Sequence, residues 1–302
     1  MSQSSNEVLM IEPLHFGSNP ETLADNHFQH SCNSSKEALH AQRKAREEFH
    51  GLRLKLEEAG VTVHAFSDDQ SIVTPDSVFP NNWFSTHKES VCVLYPMKAP
   101  TRRLERREEI IEFLKSRYQR FYDLSHFEKQ HKFLEGTGSL VLDRANKLAY
   151  ASLSERTNPD LIKEWATILG FDVIIFRSYD QTGALIYHTN VMMNIGTGYA
   201  VICLEAIKSA EERDAVRKSL EEHGIELITI TLEQLHAFCG NVIEVRSKDG
   251  RLLLVMSATA NSAFTDEQLK KIESYAEPLF VPLDTVERYG GGSARCMLAK
   301  IF

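Results

Sequence analysis

Apolar and polar positions along the chain follow two rhythms that take turns. Val8-Leu9-Met10-Ile11 is a continuous apolar run of strand length. Asn19-Pro20-Glu21-Thr22 carries a turn or helix-start signal. From Ser34 to Ala59 the pattern is helical: Leu39, Phe49, Leu52 and Leu56 supply an apolar stripe among many charges, and Gly60 stops it. Val61 to Phe66 follows as a strand. After a polar loop and the segment Phe79-Pro80-Asn81-Asn82-Trp83-Phe84, Ser90 to Leu94 reads as another.

The same phrase then recurs. Helices are predicted over Arg103 to Arg117, Pro159 to Leu169, Ala210 to His223 and Asp266 to Tyr275. Each leads into a strand, at Phe121-Tyr122, Val173 to Phe176, Glu226 to Ile230 and Leu279 to Val281. Hairpins pair Ser139 to Leu142 with Lys147 to Ala151, Val191 to Ile195 with Tyr199 to Cys203, and Val242 to Arg246 with Leu252 to Met256. The last two turn on Gly196-Thr197-Gly198 and Lys248-Asp249-Gly250. Arg295 to Ile301 is a final strand without a hairpin partner, and Val8 to Ile11 is the strand left to supply one. The expectation is an α/β fold of five strand-strand-helix-strand repeats, closed by the N- and C-terminal strands so that edges are hidden. Residues 1–302 are read as a single domain.

The register of these repeats carries the chemistry. The position just before each hairpin's first strand falls at Asn82, Glu135, His188, Asn241 and Cys296, at spacings of 53, 53, 53 and 55 residues. A near-constant period marks a repeat architecture. Units set about a common axis would bring these five residues into one central pocket. Cysteine, histidine and glutamate from separate loops are the parts of cysteine-based acyl or amidine chemistry. Taken alone, Cys296 would be a small buried hydrophobe and His188 an ordinary core or surface histidine. The register, and Gly290-Gly291-Gly292 in front of the thiol, set them apart. Glu135 stands between Leu134 and Gly136, which is not a solvated face. Asn82 and Asn190 gain weight from their place beside these residues, whereas Asn241 reads as a turn residue.

Composition narrows the picture. The chain has 302 residues, 42% hydrophobic and 25% charged, as an ordinary globular protein does. Its net charge of −8, with no long basic run, argues against nucleic acid as a partner. Arg102, Arg103, Arg106 and Arg107 are interleaved with Glu105, Glu108 and Glu109, the pattern of a solvated, ion-paired helix face. The five cysteines are an odd number, far apart and without a CxxC pair, so neither a disulfide framework nor a zinc site is expected. Cys92 and Cys203 lie in apolar runs and read as core residues. The histidines show no HxxxH or HExxH spacing, and His27, His30 and Cys32 fall in a polar stretch read as a solvated loop. No metal and no cofactor are therefore expected. There is no leader-like N-terminus and no run approaching a membrane span. A reducing, cytoplasmic setting is expected, with no membrane partner and homo-oligomerisation left open.

In these residues the chain resembles the guanidino-group modifying superfamily, the penteins, over essentially its whole length. That superfamily includes arginine deiminases, dimethylarginine hydrolases and amidinotransferases, and its fold is a five-bladed α/β propeller. Pro13 to Thr22, Phe79-Pro80-Asn81-Asn82-Trp83-Phe84-Ser85-Thr86-His87 and Tyr187-His188-Thr189-Asn190-Val191-Met192-Met193 look most like its citrulline-hydrolysing branch. The resemblance implies that Cys296 is the nucleophile, His188 the general acid and base, and Glu135 the group that binds substrate nitrogen and orients the site. It places Arg102 and Arg103 where relatives grip a substrate α-carboxylate, a task suited to the guanidinium fork. Arginine-processing relatives carry Arg-Asp where this chain has Asn81-Asn82, and His-x-Asp where it has His188-Thr189-Asn190. Amides can both donate and accept, so Asn82 and Asn190 suit a neutral ureido group better than a guanidinium. Hydrolysis of citrulline to ornithine, carbon dioxide and ammonia through an S-carbamoyl cysteine is the expected reaction. The alternatives are an arginine or dimethylarginine hydrolase, an amidinotransferase, and a non-catalytic binding protein of this fold.

Overall fold

The structure, a computed structural model, describes residues 2–302. β1 (Glu7–Glu12) and β2 (Thr62–Ser67) run parallel, joined by the long helix Ser35–Glu58. Ser34 caps that helix, its hydroxyl accepting from the Glu37 amide at 3.2 Å, and Gly60 leaves it at φ 85°. Its buried stripe is Ala41, Ala45, Phe49, Leu52 and Leu56, while Leu39 is exposed. The small alanines let the helix lie close against the sheet, and the stripe starts two residues later than the large apolar residues suggest.

β3 (Phe84–His87) and β4 (Val91–Leu94) form a hairpin, and β5 (Arg120–Asp123) adds parallel to β4. β6 (Leu140–Asp143), β7 (Leu148–Ser152) and β8 (Asp172–Phe176) repeat the arrangement. So do β9 (Met193–Ile195), β10 (Tyr199–Ile202) and β11 (Glu226–Thr229). β12 (Ile243–Arg246), β13 (Leu252–Ser257) and β14 (Glu277–Val281) do so again. β15 (Ala299–Ile301) pairs antiparallel with β1, Glu7 opposite Ile301 and Leu9 opposite Ala299. The result is a mixed α/β structure of five three-stranded sheets. In each sheet an antiparallel pair is extended by a parallel strand, and the first sheet is assembled from both ends of the described chain. No helix among the described residues is long and apolar enough to cross a membrane.

Three local expectations change. Phe84–His87 is a strand, hidden in the sequence because Ser85, Thr86 and His87 are polar yet buried against the neighbouring sheets. The helix expected from Arg103 to Arg117 is two, Pro100–Arg103 and Glu108–Arg117. Between them Arg102 turns inward onto Glu105, with side chains 3% and 2% exposed, so this pair is not the solvated face its charge pattern suggests. The last strand begins at Ala299 rather than Arg295, and Gly290 closes a helix, Asp284–Gly290, that apolar patterning alone does not reveal. Gly291, at φ 63°, supplies the left-handed residue that ends this helix. Ala294 to Met297 is a turn, which places Cys296 on a bend rather than in a ladder.

Candidate active site

The repeat positions all lie in short turns that precede a strand. Asn82 ends the 3-10 turn Pro80–Asn82, Glu135 precedes the turn Gly136–Ser139, and His188 precedes Thr189–Val191. These turns stack closely. A Cβ at Gly136, already at φ 49°, would stand 2.5 Å from the Asn81 carbonyl oxygen and 2.8 Å from that of Asn82. A Cβ at Gly138 would stand 2.5 Å from Asn82 Nδ2 and 2.7 Å from His188 Nδ1. The glycines beside Glu135 therefore allow the asparagine turn and the histidine to meet. Gly136→Ala is expected to cost about 1–3 kcal/mol in stability from strain and overpacking, with activity falling alongside. Urea titration of the variant checks it, and an unchanged midpoint would show that the turns can part without cost.

Glu135 is fully buried, and its Oε2 lies 2.8 Å from His188 Nε2. Its Oε1 accepts from the Lys98 amide at 3.0 Å, and Arg156 Nη1 stands 3.6 Å from Oε2. Burial alone would raise this carboxyl's pKa. The Arg156 charge, the His188 contact and the more distant Arg102 overcome it and hold Glu135 well below the usual carboxylate range. An ionised carboxylate only accepts, so the hydrogen of neutral His188 sits on Nε2 and Nδ1 carries the free lone pair. Burial lowers the His188 pKa, the Glu135 contact and charge offset part of that, and Arg156 and Arg102 add to it. His188 is thus kept neutral but next to a charge that would stabilise its protonated form.

Cys296 is buried, and two amides point at its sulfur: Asn190 Nδ2 at 3.4 Å and Asn241 Nδ2 at 3.3 Å. Asn241 also donates to the Asn190 carbonyl at 3.0 Å and accepts from the Ser293 amide at 3.1 Å, so it clamps the bend that carries the thiol. It thus holds a turn together, as the sequence suggests for a turn or blade-closing residue, and it also contacts the sulfur. The cavity in front of Cys296 is lined by Asn82, Arg102, Arg156, Tyr187, His188 and Asp76, among others, and holds about 270 Å³ of empty space, its open mouth included. Tyr187 donates to the Gly291 carbonyl at 2.5 Å and pins the glycine run over the cavity.

The arginines divide. Arg102 lines the cavity, but its fork is occupied: Nε and Nη2 reach Glu105 at 2.9 and 3.0 Å, and Nη1 donates to Asn82 Oδ1 at 2.6 Å. That last bond decides the orientation of the Asn82 amide, because a guanidinium cannot donate to an NH₂. Arg103 lies outside the cavity lining, donating to the Met97 and Lys98 carbonyls at 3.0 and 3.1 Å. Asn81 is likewise outside the lining, with Nδ2 3.4 Å from Thr137 Oγ1. Glu135 and Asn190 stand behind the lining, touching His188 and Cys296 respectively. Sequence reasoning missed Arg156, Asp76 and Tyr187. Asp76 is buried, accepts from Asn19 Nδ2 at 2.8 Å, and has its pKa raised by burial, with Arg102 opposing. Among the described residues no group of three or more His, Cys, Asp or Glu side chains could hold a metal ion.

Comparison with known proteins identifies the class. The family model for eukaryotic N,N-dimethylarginine dimethylhydrolase matches residues 12–302. No protein of curated function matches the sequence. The fold is shared with the apo form of ArgZ, an arginine dihydrolase from the ornithine–ammonia cycle in cyanobacteria, at TM-score 0.75 and 19% identity over 97% of this chain. This chain spans 40% of that ArgZ chain. The N-terminal domain of ArgZ alone, in an asparagine-to-serine variant covalently bound to a reaction intermediate, is matched over 97% of its length, at TM-score 0.74 and 19% identity over 98% of this chain. The dimethylarginine hydrolase of Pseudomonas aeruginosa, in a cysteine-to-serine variant complexed with citrulline, gives TM-score 0.69 at 16% identity, covering 99% of this chain and 100% of that one. The protein belongs to the pentein, or guanidino-group modifying, superfamily. Within that superfamily it belongs to the N,N-dimethylarginine dimethylhydrolase family.

Proposed function

We propose that the protein hydrolyses citrulline to ornithine, carbon dioxide and ammonia, with Cys296 as nucleophile, His188 as acid and base, and Glu135 as the residue that orients His188. The whole chain acts as one unit, its five sheets read as blades about a common axis. The observation that carries the choice of substrate is an orphaned amide donor on the cavity lining. Asn82 Nδ2 is buried and has no hydrogen-bond partner. It complements the carbonyl oxygen of a ureido group, which a guanidinium, a donor only, does not offer. A buried polar atom left unpaired costs about 1–3 kcal/mol, so a ligand that pairs it gains that much.

The steps balance on the residues present. His188 Nδ1 takes the Cys296 proton, and the sulfur attacks the ureido carbon. The Cδ-side nitrogen leaves with the proton that His188 returns, giving ornithine and an S-carbamoyl enzyme. Water, deprotonated by His188, attacks the same carbon, the C–S bond breaks, and carbamate leaves to become ammonia and carbon dioxide. Arg102 and Arg156 line the cavity, but Glu105 and Asn82 hold the first and Asp25 the second, so both serve to position their neighbours, while Asp76 gives one carboxylate to face an α-amino group. Arg103 takes no part in this arrangement.

A second reading, hydrolysis of arginine, is favoured by the shared fold with ArgZ and by Asp76, an acidic group lining the cavity. A substrate panel scored for ammonia and ornithine from citrulline, against citrulline or ornithine from arginine, separates the two. The amides supply the sharper test. Asn190→Asp, and the double change with Asn82→Asp, should lower the ratio of kcat/KM for citrulline over arginine. An ionised carboxylate repels the ureido oxygen and pairs a guanidinium, whose groups only donate. An unchanged or increased ratio would remove the argument for a neutral substrate.

A further inference from the structure

A second cavity, sharing no lining residue with the first, lies against β3, β6, β9, β12 and β15. Gln3, Thr137, Arg144, Asn194, Arg295 and Lys300 line it together with apolar residues of β3, β6, β12 and β15. Its empty space is about 480 Å³, its open mouth included.

Its charge is one-sided. Arg144 and Arg295 are each 7% exposed, Lys300 is half-buried, and none of the three has a carboxylate within 4.0 Å among the described residues. Their contacts are weak for cations. Arg144 Nη1 lies 3.2 Å from His87 Nδ1, and its guanidinium sits 4.1 Å above the Phe302 ring. Arg295 Nη2 donates to the Thr137 carbonyl at 3.4 Å, and Lys300 Nζ to the Gln3 carbonyl at 3.1 Å. Arg295 Nε and Asn194 Nδ2 are buried donors with no partner. Glu244, whose charge reaches Lys300, is already engaged by the Ser4 hydroxyl and by the Thr197 amide and hydroxyl at 2.9 and 2.7 Å. Uncompensated buried charge is costly, and proteins pair it or bind a counter-ion.

We propose that this cavity is a binding site for a small multi-oxygen anion, held by Arg144, Arg295, Lys300 and Asn194. The two guanidinium forks suit paired oxygens, and a dianion would neutralise both. Burial pushes Arg144 and Arg295 down to about 10, and burial with Arg295 and Arg144 alongside pushes Lys300 far below its ordinary value. Each is the response of a cation missing its partner. Inorganic phosphate and a dicarboxylate share the required chemistry, and they are separated by testing both.

The experiment is calorimetric titration of the full chain with inorganic phosphate, and separately with malonate. It is done in a non-binding buffer at fixed ionic strength, with and without saturating ornithine. The expected result is saturable one-to-one binding of at least one probe that ornithine does not displace. Arg144→Met and Lys300→Met should each weaken it by about tenfold or more, the usual loss for a hydrogen bond to a charged group. Without anion, each variant should melt no lower than the parent, since a buried unpaired cation has been removed. Absence of saturable binding by both probes, displacement by ornithine, or undiminished binding in the folded variants would each overturn the proposal. If neither variant folds, the parent's titration in the presence of ornithine decides alone.

Discussion

Replacing Cys296 by alanine is expected to abolish turnover of citrulline and arginine alike while the fold persists. No other thiol can take over. Cys92, Cys203 and Cys239 are buried in apolar clusters, where burial pushes Cys203 up to about 11 and Cys239 up to about 12. Cys32 packs beside the long helix and is absent from the cavity lining. Loss of the side chain leaves only a small void in front of Asn190 and Asn241, so circular dichroism and melting should stay close to those of the parent. The check pairs an ammonia assay with labelling by a thiol-reactive substrate analogue. The parent should label and the variant should not. Activity retained by purified Cys296→Ala, or lost in Cys239→Ala, would mean that another thiol does the chemistry.

His188→Ala should lower kcat by about 10²–10⁴, the usual span for a lost acid and base. The pH profile tests the arrangement more closely. Burial, partly offset by Glu135, lowers the His188 pKa, so the base form survives to lower pH than in an exposed histidine. The acid limb of kcat/KM should accordingly lie below about 6.5, the unperturbed histidine value. In Glu135→Gln the negative charge that favours imidazolium is gone, while Arg156 and Arg102 remain. The His188 pKa should fall further and the acid limb should move to still lower pH, with kcat reduced because the protonated form is harder to make. A limb that moved upward would mean that Glu135 does not act through His188.

Much of this was written in the local pattern. Ser34 and Gly60 mark the ends of the long helix because capping needs only neighbouring backbone. Asn158 and Gly170 do the same for Pro159–Leu169. The 53-residue spacing pointed to Glu135 beside His188, because equivalent turns of a repeat share a neighbourhood. What stayed hidden depends on contacts between distant segments. Arg156 lies outside the repeat register, and only packing aims it at Asp25 and Glu135. Asp76, in Thr-Pro-Asp, looks like any turn aspartate until Asn19 and Thr22 close over it. The burial of Arg102 was masked by the alternating charges around it, which suit a solvated helix equally well. Asn241 was undervalued because its sequence context, Cys-Gly-Asn, gives no sign of the sulfur 55 residues away.

The pairing of β1 with β15 bears on how the protein is made. Residues 7–9 wait for residues 299–301, so this sheet cannot be completed on the ribosome until nearly the whole described chain has emerged. Bringing segments so far apart together costs loop-closure entropy of about 5 kcal/mol, which grows only slowly with length. Glu135 and His188 emerge and can meet early, while Cys296 is translated three residues before the closing strand. Cys296 therefore takes its place only as the first sheet is completed, and a nascent or truncated chain carries Glu135 and His188 without that thiol.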